Sequence, residues 1–324
     1  MSARAGRRVA SILALVTAGT LLLSGCQTPP DVDSDSGPGC APEGVASLSV
    51  SAQGELFSRP EVTFPAPISP LTTERSVLVA GDGPAVTPDS IVTVDFVAFN
   101  GASGEPIEAT GYGAPGIGRT LITLDGESAM PGVRRALLCS TVGSRIAAVV
   151  HPEDGIGAQG AAVGVASGES IVYVFDIVSI ALDRADGEEQ PQDPALPLVE
   201  ATGDSPPIAT MPPTPPPTQL VTTTILTGDG PAVRDGSDLV IRYRAMLWRN
   251  GLTVFENWSV PSLERTSMTD LLPGVAQSLV GTTVGSRVMA IVPPDLGFGR
   301  DGDAQSSVTG TDTLVYVVDI LATT

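Results

Sequence analysis

The side chains that usually carry chemistry are scarce in this chain. A single histidine, His151, stands among 324 residues, too little material for a Ser–His–Asp relay or a histidine metal centre. No Gly-x-Ser-x-Gly, phosphate-binding glycine loop or Cys-x-x-Cys occurs in the sequence. Asp31-Val-Asp33-Ser-Asp35-Ser-Gly37 opens like a calcium loop, but its glycine comes one place late. Pro42 then occupies the position that needs a bidentate Glu. No metal and no cofactor is expected. The formal net charge of −19 would repel a phosphate backbone, so no nucleic acid partner is expected either.

What the sequence does contain is a long internal repeat. Gly81-Asp-Gly-Pro-Ala-Val86 returns as Gly228-Asp-Gly-Pro-Ala-Val233, Pro131-Gly-Val133 as Pro273-Gly-Val275, and Thr141-Val-Gly-Ser-Arg145 as Thr283-Val-Gly-Ser-Arg287. Val172-Tyr-Val174 likewise returns as Val315-Tyr-Val317. A period of this length suits two whole domains rather than solenoid units. The expected division is a leader at 1–25, a flexible tether and extension at 26–57, copy one at 58–182, a solvated mobile linker at 183–204, and copy two at 205–324. Pro60-Glu-Val-Thr-Phe-Pro65 lies in register with Pro207-Ile-Ala-Thr-Met-Pro212. The proline-rich approach is therefore expected to be an extended segment on a sheet edge, where proline is tolerated.

With 36 Gly, 29 Pro and few aromatics, the composition favours turn-rich β structure over long helices. Runs rich in Val, Ile and aromatics at 77–79, 91–99, 119–124, 145–150 and 171–180 read as strands. In copy two the matching runs are 223–226, 238–248, 287–292 and 313–321. One helix per copy fits, entered at Pro131 or Pro273 and extending to Thr141 or Thr283. Each copy is expected to be an α+β domain, about five antiparallel strands wrapped on one short helix.

Arg4, Arg7 and Arg8 precede an apolar run at 9–23, written like a secretory signal and short for a membrane span. The run ends in Leu23-Ser24-Gly25-Cys26, which resembles the lipobox of bacterial lipoproteins. The resemblance implies a lipidated Cys26 as the new N-terminus, and a protein anchored by lipid to the cell membrane on its extracytoplasmic side. Residues 27–39 are mostly Pro, Ser, Asp and Gly, with almost nothing apolar, and should form a disordered spacer. Cys40 and Cys139 then remain in a compartment that permits disulfides. Copy two has Gly281 where copy one has Cys139, and only copy one follows an extension carrying a cysteine. Cys40 is expected to pair with Cys139, the alternative being two separate buried thiols.

The order of motifs resembles the FKBP-type peptidyl-prolyl isomerases across both copies: Gly-Asp-Gly-Pro, an Asn-Gly turn, a Phe-Asp-like pair, a Pro-Gly helix start, a Val-Gly hairpin, an aromatic-Gly flap and a closing aromatic strand. The resemblance implies two FKBP-like domains and places an apolar pocket in copy two. Tyr243 falls at its base and Phe255-Glu256 where the family has Phe-Asp. Leu271 and Leu272 precede Pro273, with the Leu272 N–H toward the substrate carbonyl. Phe298 falls at the flap tyrosine and Tyr316 at the aromatic of the last strand, while Val275 replaces the tryptophan that floors the pocket. Copy one departs further, with Phe96, Ile107-Glu108, Ala129-Met130, Val133 and Ile156 at these places and Tyr173 retained. Its pocket is expected to lack most of its aromatic wall. His151 matches Pro293 and is expected to be structural.

The resemblance implies a peptidyl-prolyl cis-trans isomerase acting on proline-containing exported polypeptides, carried mainly by copy two. The alternative is a non-catalytic peptide-binding or chaperone lipoprotein. The aromatics retained in copy two favour the first reading; the two missing tryptophans and the eroded copy one favour the second.

Overall fold

A computed structural model describes residues 39–113, 118–200 and 205–324. Cys26, the leader and most of the spacer lie outside the described residues. The protein is α+β, with two antiparallel sheets built on one plan, one in each copy of the repeat. In copy one the sheet order is Glu74–Val79, Arg145–Val150, Ile171–Ile180, Ile91–Asn100 and Pro106–Ala109, with Thr120–Thr123 also pairing on Ile91–Asn100. Copy two repeats this with Val221–Thr227, Arg287–Val292, Leu314–Thr323, Asp238–Leu247 and Thr253–Glu256, and Arg265–Ser267 pairs on Asp238–Leu247. All these pairings are antiparallel.

The helices Pro131–Leu137 and Pro273–Leu279 begin at proline, whose missing N–H is no loss in a first turn. Both end earlier than Thr141 and Thr283. In copy one the chain then turns through Cys139 at φ 61°, and in copy two through Gly281 at φ 81°. The helices stop one residue earlier, at Leu138 and Val280, whose ψ of 149° and 127° is already extended, and the left-handed position that follows suits glycine.

The two repeated motifs of each copy touch each other. Thr141 Oγ1 donates to Gly81 O at 2.7 Å, and Gly81 N donates to Ser144 Oγ at 3.0 Å. Thr283 and Ser286 grip Gly228 in the same way, at 2.6 and 2.9 Å. A Cβ on Gly81 would run into Val142 O, and one on Gly228 into Val284 O, so this strap requires glycine.

Each sheet is covered on both faces. The helix side packs over Phe96, Leu137, Ile146 and Phe175 in copy one, and over Ile241, Leu279, Val288 and Ile320 in copy two. On the other side lies a two-stranded ribbon: Ser51–Gln53 with Glu61–Thr63, and Leu198–Val199 with Ala209–Thr210. Ala52 pairs with Val62 and Val199 with Ala209, so the proline-rich approach is part of a separate ribbon lying over the sheet, not an extra strand on its edge. Coverage on both faces explains why Arg287–Val292 and Leu314–Thr323 are buried at every residue instead of alternating.

Two stretches expected to be mobile are held in their described residues. Within 183–204, Glu188–Glu189 pairs on Val221–Thr227, Ala185 N donates to Asp319 Oδ2 at 3.0 Å, and Val199 is buried in the second ribbon. Polar composition suggested a solvated linker, but its backbone finds partners on copy two. The extension is likewise held from Cys40 onward. Cys40 and Cys139 are joined as a disulfide with Cα atoms 6.1 Å apart. Ala41 N donates to Arg135 O at 2.8 Å, and Glu74 accepts from Ala46 and Ser47 in the short helix Val45–Leu48.

Each ribbon is tied to its sheet by a buried ion pair. Arg145 meets Asp176 at 2.6 and 2.7 Å and also donates to Gly54 O, Glu55 O and Ser58 O. Arg287 meets Asp319 at 2.6 and 2.8 Å and reaches Glu200 O. Removing one partner strands a buried charge, so Arg287→Met is expected to cost about 3–5 kcal/mol. The double change Arg287→Met with Asp319→Leu removes both charges and should cost less than the single one. Urea unfolding of the three proteins checks the order.

Candidate active site

A cavity of about 330 Å³ opens between the helix and the front of the sheet in copy two. The register sets its walls. Tyr243 and Ile241 come from Asp238–Leu247, and Tyr316 and Val318 from Leu314–Thr323, each pair two residues apart and so on one face. Phe255 projects from Thr253–Glu256. Leu271, Leu272 and Val275 come from the entry to the helix, and Phe298 from the loop after the short 3-10 turn Pro294–Leu296. These seven sequence-predicted residues, Tyr243, Phe255, Leu271, Leu272, Val275, Phe298 and Tyr316, therefore share one cavity.

The walls are aromatic pairs. Phe255 and Phe298 stack with centroids 5.4 Å apart at 25°, and Tyr243 and Tyr316 lie 6.1 Å apart at 35°. Val275, 2% exposed, closes the floor. Burial pushes the Tyr316 phenol up, and burial with nearby Glu256 and Glu264 pushes up that of Tyr243, so both remain proton donors. Among the described residues nothing accepts the Leu272 N–H. Glu264, Arg265 and Asp270 make the mouth polar.

Glu256 is the exception. Alternation on Thr253–Glu256 turns it to the face opposite Phe255, where Oε2 accepts from Trp258 N at 2.7 Å and Ser259 N at 3.1 Å. The hydrogen bonds from Ser259, with that from Trp258, hold its carboxyl below the usual carboxylate range. Asn257, one residue on and in phase with Phe255, lines the cavity instead. Its Oδ1 accepts from Tyr243 N at 2.8 Å and its Nδ2 donates to Ile241 O at 3.0 Å, fixing the strand that carries the tyrosine. The in-out alternation of the strand was the signal for it.

Copy one has a cavity of about 320 Å³ in the equivalent place. Phe96, Glu108, Ala129, Met130, Val133 and Tyr173 line it; Ile107 packs against the core and Ile156 lines a separate depression beside His151. The expected loss of aromatic wall is corrected by Phe175, where copy two has Val318. Phe175 stacks on Tyr173 at 5.0 Å, and Phe96 meets both rings. Burial, aided by Glu108, pushes the Tyr173 phenol up to about 12. His151 Nδ1 accepts from Glu153 N at 3.3 Å, capping the short turn Pro152–Asp154. Among the described residues no cluster of His, Cys, Asp or Glu could hold a metal ion.

Residues 230–321 match the model of the family described as FKBP-type peptidyl-prolyl cis-trans isomerase. A probable FK506-binding protein of Corynebacterium glutamicum is 25% identical over 108 residues, 33% of this chain and 90% of that protein. An FK506-binding protein of Streptomyces anulatus is 27% identical over 109 residues, 33% of this chain and 88% of that one. Among solved structures, the three FKBP domains of wheat FKBP73 align with 78% of this chain and 94% of theirs, at 14% identity and a TM-score of 0.33.

The raised Tyr243 phenol should keep its proton past the ordinary tyrosine value of about 10. Ligand affinity at this cavity is therefore expected to stay flat from neutral pH to about pH 10, which a fluorescence titration series checks. A fall setting in near pH 9 would place the phenol in solvent.

Proposed function

Because residues 230–321 match the family model described as FKBP-type peptidyl-prolyl cis-trans isomerase, we propose that copy two isomerises X–Pro bonds in exported polypeptides. The observation that carries this reading is the convergence of Tyr243, Phe255, Leu272, Phe298 and Tyr316 on one cavity over Val275. Rotation about X–Pro crosses a barrier of about 18–20 kcal/mol because the twisting amide loses its resonance. The twisted form has less charge separation than the planar one. A cavity walled by stacked rings stabilises it relative to the planar ground state, with no acid, base or nucleophile. The Leu272 N–H holds the carbonyl preceding the proline while the ring turns in the apolar chamber. Glu256, turned to the opposite face, has no part in the chemistry and keeps the loop after Phe255 in shape.

The rival reading, a non-catalytic peptide-binding lipoprotein, draws on Val275 in place of a tryptophan and on the well-formed cavity of copy one. A protease-coupled isomerisation assay on the full chain separates the two. The enzyme reading expects acceleration above the buffer rate and a loss of about tenfold or more in kcat/KM for Phe255→Ala, a change of about 1.4 kcal/mol in transition-state binding. A folded protein with no acceleration would leave the binding reading.

The protein acts, on this proposal, at the outer face of the cell membrane, tethered through lipid on Cys26. Among the described residues no helix is long and apolar enough to cross a membrane, and the anchor needs none. Cys26→Ala should move the protein from the detergent phase to the aqueous phase in a Triton partition. An unchanged partition would remove the anchor from the account.

A further inference from the structure

The family match over residues 230–321 leaves the cavity of copy one without a role. That cavity is nearly as large as its partner, about 320 against about 330 Å³. Both are lined by the same residue, Arg265. In register, Arg265 pairs with Val240 as Leu121 pairs with Thr93, so the two are equivalent positions of the two copies. The Arg265 guanidinium donates to the backbone carbonyl of that counterpart, Leu121, at 2.9 Å.

Behind this contact lies an apolar seam of Ile91, Leu121, Ala181, Val240, Leu321 and Ala322. Leu182 N, at the seam, donates to Leu321 O at 3.0 Å. The cavities are thus neighbours across a packed interface, not beads on a loose string. A guanidinium carries five N–H donors, and the Leu121 carbonyl takes one of them, so the exposed Arg265 has donors for a further acceptor.

We propose that the two cavities form one bivalent site for an unfolded polypeptide of neutral to basic character. Each cavity takes one proline or other apolar side chain, and Arg265 holds backbone carbonyls of the stretch between. Charge selects the partner. Glu108 lines the first cavity, Glu264 and Asp270 the second, and the chain as a whole carries −19. Acidic segments are repelled and segments with Lys or Arg beside the apolar residues are drawn in. The proposal rests on the preceding reading for the second cavity; the role of the first is its own claim. Seating both cavities makes the second contact intramolecular, so affinity rises without any new surface.

The test uses the full chain and two labelled peptides read by fluorescence anisotropy. One carries a single Leu-Pro flanked by lysine; the other carries two such units joined by a Gly/Ser spacer of about a dozen residues. The two-unit peptide should bind at least about tenfold more tightly, and a glutamate-flanked version should lose that gain. Ala129→Arg, which fills the first cavity, should bring the two-unit peptide down to the one-unit affinity. Ser128→Trp at its exposed lip gives an independent block should the first variant not fold, as judged by circular dichroism. Equal affinities for the two peptides in the unaltered protein, including no binding of either, would overturn the proposal, as would a gain that survives a folded blocking variant. Isomerisation of a single-proline tetrapeptide by the unaltered protein is read in parallel; its absence counts against the enzyme reading alone.

Discussion

The buried arginine–aspartate pair is the constraint on which each domain depends. Asp319 lies on the back of Leu314–Thr323, while Tyr316 and Val318, in the opposite phase, face the cavity. The same strand therefore carries the charge anchor on one side and the cavity wall on the other. Arg287 spans Asp319 and Glu200 O, with its guanidinium carbon 5.8 Å from the Trp258 ring centre. Arg242 in turn donates to Asn257 O and Val260 O, so the loop behind Phe255 is also held by cations. In copy one Arg145 and Asp176 do the same for residues 54–58, including the Phe57 N–H, which donates to Asp176 at 2.7 Å. A charge with this many hydrogen bonds is tolerable in the interior, and any looser arrangement would be costly.

That anchoring matters because the proposed chemistry uses position alone. A cavity that stabilises a twisted amide must present fixed walls, since walls that rearrange give back the advantage of exclusion from water. Here the walls are strands covered on both faces, a helix entry, one stacked ring pair and one tilted pair. Phe298, in the loop after Pro294–Leu296, is held by stacking on Phe255 rather than by sheet pairing.

Much of this was legible in the sequence because the repeat gave two readings of every element. Strands such as Arg145–Val150 and Ile171–Ile180 have the bounds their apolar runs predict. Short strands escaped: Pro106–Ala109 and Arg265–Ser267 are too brief to show alternation of their own, and they exist because a long neighbour offers free backbone groups. The ribbons escaped for a different reason. One strand of each, Ser51–Gln53 and Leu198–Val199, falls in a stretch that reads as tether or linker, and contacts about ninety residues away in sequence, such as Arg145 to Gly54 and Glu55, help hold the first one down. In the site, Phe255 and Leu272, singled out by residue identity, line the cavity, whereas simple strand alternation turns Glu256 away and brings in Asn257. Phe175 was missed because the aromatic that it adds stands two residues beyond the retained Tyr173.

The central claim is that the copy-two cavity both binds and turns the X–Pro bond. Exchange spectroscopy by NMR on a labelled Leu-Pro peptide, with amide shifts followed in the full chain, reads place and rate in one sample. The account predicts cis–trans exchange peaks at substoichiometric protein together with shift changes centred on Leu272, Asn257 and Tyr316. Exchange that stays at the uncatalysed rate while those amides shift, or catalysed exchange with the shifts confined to residues outside this cavity, would contradict it.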